Sequence, residues 1–244
     1  MYNKLTYDNE FIKLYKSMET EKRGYLFART LLIYFFSLFF VGLIIFLPAG
    51  SFKFWNGWLF VGALFIPMFF VIIYLIVNDP DLLIKRLKTK EKEKTQKVYL
   101  MLSIIVFLVT FIIPGLDFRF KWSHVPVTVV LIATLLMISG YLIFFIVMRQ
   151  NTYASRVIEI QDEQKLIETG LYSVVRHPMY LGALILYGFA PLVLGSFFAL
   201  IPMVFIPFLL IIRIKNEEEV LKNGLKGYIE YIKKVRYRLL PFVW

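Results

Sequence analysis

Cysteine is absent from the 244-residue chain, and with it go disulfides, thiolate metal sites and thiol nucleophiles. Histidine is nearly absent. Only His124 and His177 occur, and the hydrophobic pattern puts them on opposite sides of a membrane, so neither a two-histidine haem site nor a histidine metal cluster is expected. No P-loop and no glycine-rich dinucleotide motif is present, and there is no internal repeat or low-complexity linker. Carboxylates are scarce, 17 against 28 Lys and Arg, for a net charge of +11. No stretch is polar enough for a soluble domain, which removes the basic surface that nucleic-acid binding needs.

What fills the chain is apolar. Hydrophobic residues make up 59% and aromatics 18%, with 25 Phe, and the mean hydropathy is +0.69. Lipid accepts such a surface; water does not. Runs long enough to span a bilayer cover Phe27 to Leu47, Phe54 to Val77, Val98 to Leu116 and Val125 to Met148. Two shorter runs follow, Met179 to Gly195 and Phe198 to Ile212, interrupted by Pro191, Pro202 and Pro207. The expected fold is all-α, a polytopic membrane protein with six transmembrane helices, or five if the last pair is a partly inserted hairpin. Of the 28 Lys and Arg residues, all but Lys53, Arg119 and Lys121 fall on one side of this topology. By the positive-inside rule that side, with both termini, is the cytoplasm. The first apolar run is too long for a secretory signal and lacks a small-residue cleavage site, so it should stay as a helix.

The chain divides into a four-span region, residues 1–148, and a C-terminal region, residues 149–244, that concentrates the polar chemistry. Asp79-Pro80-Asp81-Leu82-Leu83 has the signals to open a short cytoplasmic helix. Lys85 to Lys97 reads as a solvated charge run. Asn216 to Lys234 reads as an amphipathic interfacial helix, with Val220, Leu221, Leu225, Tyr228, Ile229 and Ile232 on one face.

Two polar clusters of opposite sign bracket the last apolar block. The first is Arg176-His177-Pro178-Met179-Tyr180. Pro178 suits the first turn of a helix, whose free amides and positive dipole end would face the cytoplasm as a site for a carboxylate or phosphate. Arg176 adds a bidentate donor and His177 either donates or accepts. The bland reading is an interfacial anchor and a helix cap. The second cluster is Glu217-Glu218-Glu219, read either as exposed ion pairs among surrounding cations or as carboxylates turned inward to hold hydroxyls or a cationic ligand.

Here the sequence resembles the membrane-embedded methyltransferases that include isoprenylcysteine carboxyl methyltransferase and the phospholipid methyltransferases. The resemblance rests on Gly170-x-Tyr172-x-x-x-Arg176-His177-Pro178-x-Tyr180-x-Gly182, then Glu217-Glu218, Tyr228-x-x-Tyr231 and Arg238-Leu239-Leu240-Pro241. It covers residues 151 to 244 clearly and the first four spans only in general character. The resemblance implies an S-adenosylmethionine site lined by Gly170, Tyr172, His177, Pro178, Tyr180, Leu181, Gly182, Glu217 and Glu218. It implies methyl transfer to a lipid or other hydrophobic acceptor, carboxylate or amine, at a membrane active site facing the cytoplasm, with no metal. A sulfonium and an ammonium favour carboxylates and aromatic faces. Arg176 is expected to position an anionic acceptor, and Glu218 to act as a base for an amine. Two other classes compete: a sterol-reductase-like nicotinamide enzyme, for which the chain is short, and a non-enzymatic lipid-binding or transport protein. The spans lack the deep ionisable residues that transport pathways use.

Overall fold

The apolar runs fold as helices, because each must satisfy its backbone internally. The computed structural model describes the backbone of residues 2–89 and 94–244 and the side chains of residues 22–89 and 96–244. In chain order the helices are α1 (Tyr2–Ala49), α2 (Trp55–Asn78), α3 (Pro80–Leu87), α4 (Lys94–Phe120), α5 (Val127–Gln150), α6 (Pro178–Gly188), α7 (Ala190–Val193), α8 (Leu200–Met203), α9 (Phe205–Gly224) and α10 (Tyr228–Lys234). A single 3-10 turn, Gly170–Ser173, precedes α6. Among the described residues there is no strand.

Four helices are long and apolar enough to cross a membrane: Lys22–Ala49, Trp55–Asn78, Gln96–Phe120 and Val127–Gln150. Large side chains such as Phe36, Phe70 and Leu135 stay exposed along them, the surface that lipid would cover. The last two apolar runs form shorter pieces. Pro191 opens α7 at its first turn, so α6 and α7 are two segments of one apolar stretch, Pro178–Val193. The chain reverses at Gly195, whose φ of +73° favours glycine. It returns through α8 and α9, and α9 runs on past Ile212 into Arg213 and the three glutamates.

Two devices hold this arrangement. On one face of the bundle, buried Asp117 at the end of α4 accepts hydrogen bonds from Ser123 N at 2.7 Å and Ser123 Oγ at 2.6 Å, and from Ser196 Oγ at 2.5 Å. That ties the α4–α5 connection to the α7–α8 reversal. Inside the bundle, α5 packs most extensively on α6, through Gly140 and Gly182. A Cβ on Gly140 would meet Leu186 N at 2.6 Å and Gly182 O at 2.7 Å, so the two backbones touch without side chains between them.

Asp79 caps α3, accepting from Leu82 N at 3.0 Å, with Pro80 in the first turn, as the sequence expects. The charge run Lys85 to Lys97 is helical at both ends, in α3 and α4; residues 90–93 lie outside the described residues. The helix expected over Asn216 to Lys234 is broken. α9 ends at Gly224, and Gly227 with φ +85° precedes α10. The break lets Tyr228 and Tyr231 bury against Ile160 and Leu166 of the 151–169 loop, while Ile229 is left exposed.

Candidate active site

The segment Val235 to Leu239 returns as a strap across the start of α6. Arg176 N donates to Tyr237 O and His177 N to Arg238 O, both at 2.9 Å. Two main-chain bonds thus fix the turn that aims Arg176 and His177, so that turn depends on residues about 60 positions later in sequence.

Beneath the strap lies Glu218, 2% exposed. Its Oε1 accepts from Arg176 Nε at 2.7 Å and its Oε2 from Arg238 Nε at 2.9 Å. Arg176 Nη1 also donates to Val235 O at 2.8 Å and Arg236 O at 3.0 Å. His177 Nε2 sits 3.4 Å from Glu218 Oε1 yet has no hydrogen bond of good geometry among the described residues. Burial pushes the Glu218 carboxyl up, but His177, Arg238 and Arg176 together outweigh it and hold the group down at about 2. Glu218 is therefore an ionised clamp at neutral pH between α9, the start of α6 and the strap.

One residue earlier, Glu217 turns the other way. It accepts a short hydrogen bond from Tyr180 Oη, and Arg213 Nε donates to the same hydroxyl at 2.9 Å. Arg213 Nη1 reaches Gln96 Oε1 at 2.8 Å and Nη2 reaches Arg156 O at 2.7 Å. Gln96 in turn donates to Asn216. This second network joins α4, α6, α9 and the 151–169 loop. Sequence reading misses Arg213 and Gln96. Arg213 stands four residues before Glu217, the helical spacing that puts two side chains on one face, and that spacing is its one readable signal. Gln96 has none.

Both networks border one cavity of about 630 Å³. Tyr172, Arg176, His177, Pro178, Tyr180 and Glu217 line it, together with Tyr228 and Tyr231. Gly170, Leu181, Gly182 and Glu218 are not on its wall. Gly182 faces α5 instead, where a Cβ would meet Gly140 O at 2.9 Å. Gly170 takes φ +61° and packs on the Gln150 side chain, so both glycines allow backbone to approach protein. Tyr172 is held from two sides, by Asn151 Nδ2 on its hydroxyl at 2.8 Å and by Tyr231 Oη on its carbonyl at 2.7 Å. The Tyr228 hydroxyl is buried with no partner among the described residues, and burial raises its pKa well above the usual phenol value.

A third arginine, Arg86 of α3, reaches the cavity in a different condition. Its Nη1 makes long contacts to Ala154 O at 3.5 Å and Ser155 O at 3.4 Å and a third to the weakly accepting Met179 Sδ at 3.3 Å. Its guanidinium lies 5.0 Å over the Phe144 ring. Burial pulls its pKa down to about 10, and the positive charges of Arg156 and Arg213 push the same way.

The cavity has two ends. Its polar end is the set just described, with His177 and Tyr180 rings near-parallel at 5.7 Å. Its other end runs between α4, α6 and α9 among Leu100, Ile104, Phe107, Ile206 and Leu210. Among the described residues no group of three or more His, Cys, Asp or Glu side chains is placed to hold a metal.

No curated protein matches the chain significantly. Residues 130–223, from within α5 nearly to the end of α9, match the model of the Isoprenylcysteine carboxyl methyltransferase (ICMT) family. That segment contains the start of α6, both glutamates and Arg213. The match covers 94 of the 244 residues, on a bundle with four helices fit to cross a membrane, and makes this segment similar to a family of methyltransferases whose methyl donor is S-adenosylmethionine.

Proposed function

We propose that the chain transfers a methyl group from S-adenosylmethionine to a lipid or lipid-like acceptor at the cytoplasmic face of a membrane. The observation that carries this reading is the two-ended cavity, polar and aromatic at the start of α6 and apolar between α4, α6 and α9. A soluble donor and a hydrophobic acceptor need such a meeting place. The donor fits the polar end on one further ground: the Tyr228 hydroxyl is buried there without a partner among the described residues, and buried polar groups are normally hydrogen-bonded.

Bound there, S-adenosylmethionine supplies a methyl group already activated on a sulfonium. The chain's own work is placement and exclusion of water. Glu217 and the rings of Tyr180 and Tyr99 give a cationic ligand a carboxylate and aromatic faces, and Arg213 fixes the Tyr180 hydroxyl. His177 and Tyr228 offer hydrogen bonds to the donor's polar groups. Arg176 and Glu218 act as positioning residues, since each spends its hydrogen bonds on the other and on the strap. The task of meeting an anionic acceptor passes to Arg86, whose guanidinium is the poorly paired one. A carboxylate acceptor needs no base. An amine acceptor would give its proton to Glu217, the carboxylate on the cavity wall.

In this reading residues 1–148 form the membrane frame and residues 149–244 the catalytic region. The last apolar stretches add two passes to the four long ones, with both termini in the cytoplasm. Calorimetry of S-adenosylmethionine binding to detergent-purified protein tests the proposal, with His177→Ala and Tyr180→Phe beside the wild type. Binding by the wild type, weakened tenfold or more in both variants, is the expected result. No binding by a folded wild type, with or without lipid, overturns it and returns the question to nicotinamide cofactors or a structural role.

A further inference from the structure

The apolar end of the cavity is not wholly apolar. Ser103 lies on its wall, 6% exposed, and its Oγ has no hydrogen-bond partner among the described residues. A serine in a membrane helix ordinarily donates back to the preceding turn, as Thr30 and Thr134 do here, to Leu26 O at 2.7 Å and Val130 O at 2.8 Å. Ser103 does not. Its depth follows from α4. Gln96 sits in the Arg213 network, and Ser103 lies two helical turns further along the same face, about 10 Å deeper along the axis.

α6 repeats the interval. Tyr180 belongs to the polar network and Tyr187 comes two turns later, also on the cavity wall. Phe107, one turn beyond Ser103 and also on the wall, meets the Tyr187 ring edge-on at 4.9 Å. Ser103 thus places a hydroxyl at a second level among Ile104, Ile206 and Leu210, and Tyr187 brings another to the same cavity wall.

We propose that this level is a hydrogen-bonding subsite for the body of the acceptor. It deepens the methyltransferase reading and rests on it for the word acceptor. The ligand class is an amphiphile with two polar groups about 10 Å apart. One is at the methylated end, and the other is a hydroxyl, ketone or ester carbonyl held by Ser103 within the hydrophobic body. At the extension of a stretched single-bonded chain, 10 Å is about eight or nine bonds. An unsubstituted hydrocarbon tail leaves the Ser103 hydroxyl unpaired, and a site built to bond a polar group discriminates against a ligand that lacks it.

The test uses hexadecanoate, 10-hydroxyhexadecanoate and 10-ketohexadecanoate as probes, titrated into the purified full chain in detergent. Dissociation constants are measured for the wild type, Ser103→Ala and Tyr187→Phe, with S-adenosylmethionine binding measured on each. The expected result is that one or both substituted acids bind at least fivefold tighter than hexadecanoate to the wild type. Ser103→Ala should erase that preference without changing S-adenosylmethionine affinity, which also shows that the variant folds. Equal binding of the three acids, binding by none, or a preference that survives Ser103→Ala overturns the subsite. A preference that depends on Ser103 in a protein that does not bind S-adenosylmethionine would uphold the subsite and sink the methyltransferase reading, so the two failures are separable.

Discussion

Glu218 carries one negative charge into a site that is nearly dry, and three cationic or hydrogen-bonding side chains close around it. Removing one partner of a buried pair leaves the rest uncompensated, at roughly 3–5 kcal/mol. Glu218→Ala is therefore expected to lower the thermal unfolding midpoint in detergent far more than Glu219→Ala, whose side chain is exposed. The pH dependence has a definite sign. The folded group, near 2, lies below its ordinary value of 4.5, so its stabilisation is complete above about pH 4.5. It falls away as the pH drops toward 2, by roughly 3 kcal/mol in all. Unfolding curves at pH 6 and pH 3 should separate for the wild type more than for Glu218→Gln; parallel loss in both would show that other carboxylates dominate. Arg86 supports a different expectation. Arg86→Ala should raise KM for a carboxylate acceptor tenfold or more, leave S-adenosylmethionine affinity within about twofold, and be partly rescued by Arg86→Lys. An unchanged KM would remove it from the acceptor site.

Among the elements, the α5–α6 contact is the least forgiving. Ala at position 140 would push a methyl group within 2.6–2.7 Å of backbone atoms that cannot rotate away, and overpacking of this kind costs about 1–3 kcal/mol or more. Gly140→Ala should lower the unfolding midpoint and loosen the α6 start, while Gly188→Ala, with nothing within 4 Å of the added carbon, should be neutral or mildly stabilising. Equal midpoints for the two variants would mean that the helices separate at no cost. This contact also marks a limit on reading function from spacing. Gly182 falls within the stretch that bears the family resemblance, and a glycine that admits a ligand is written the same way as one that admits a helix. The four long spans were legible because about 20 apolar residues have one solution in lipid. The α9–α10 break was half legible, since Gly224 and Gly227 were visible but not the tyrosine pocket they make room for. Gln96 was not legible at all, because its partners stand more than 100 positions away.

For the whole molecule, the absent cysteine becomes an experimental advantage. Single cysteines introduced at Lys53, Ser123, Lys165 and Lys226 have no background thiol to compete with. The proposed topology expects a membrane-impermeant thiol reagent applied outside to label the first two and spare the last two until the membrane is opened. Labelling of positions 165 and 53 from the same side would overturn the orientation.

The strap adds a dimension of time. A ribosome extends the chain from its first residue onward at about 5–20 residues per second, so the four long helices enter the membrane before Tyr237 and Arg238 exist. Until those residues arrive, the amides of Arg176 and His177 lack their carbonyls, and Glu218 lacks one of its two guanidiniums. The nascent protein is thus inserted first and competent last. On the proposed function, a polypeptide interrupted before residue 237 would occupy the bilayer as an inert bundle, unable to consume methyl donor while unfinished.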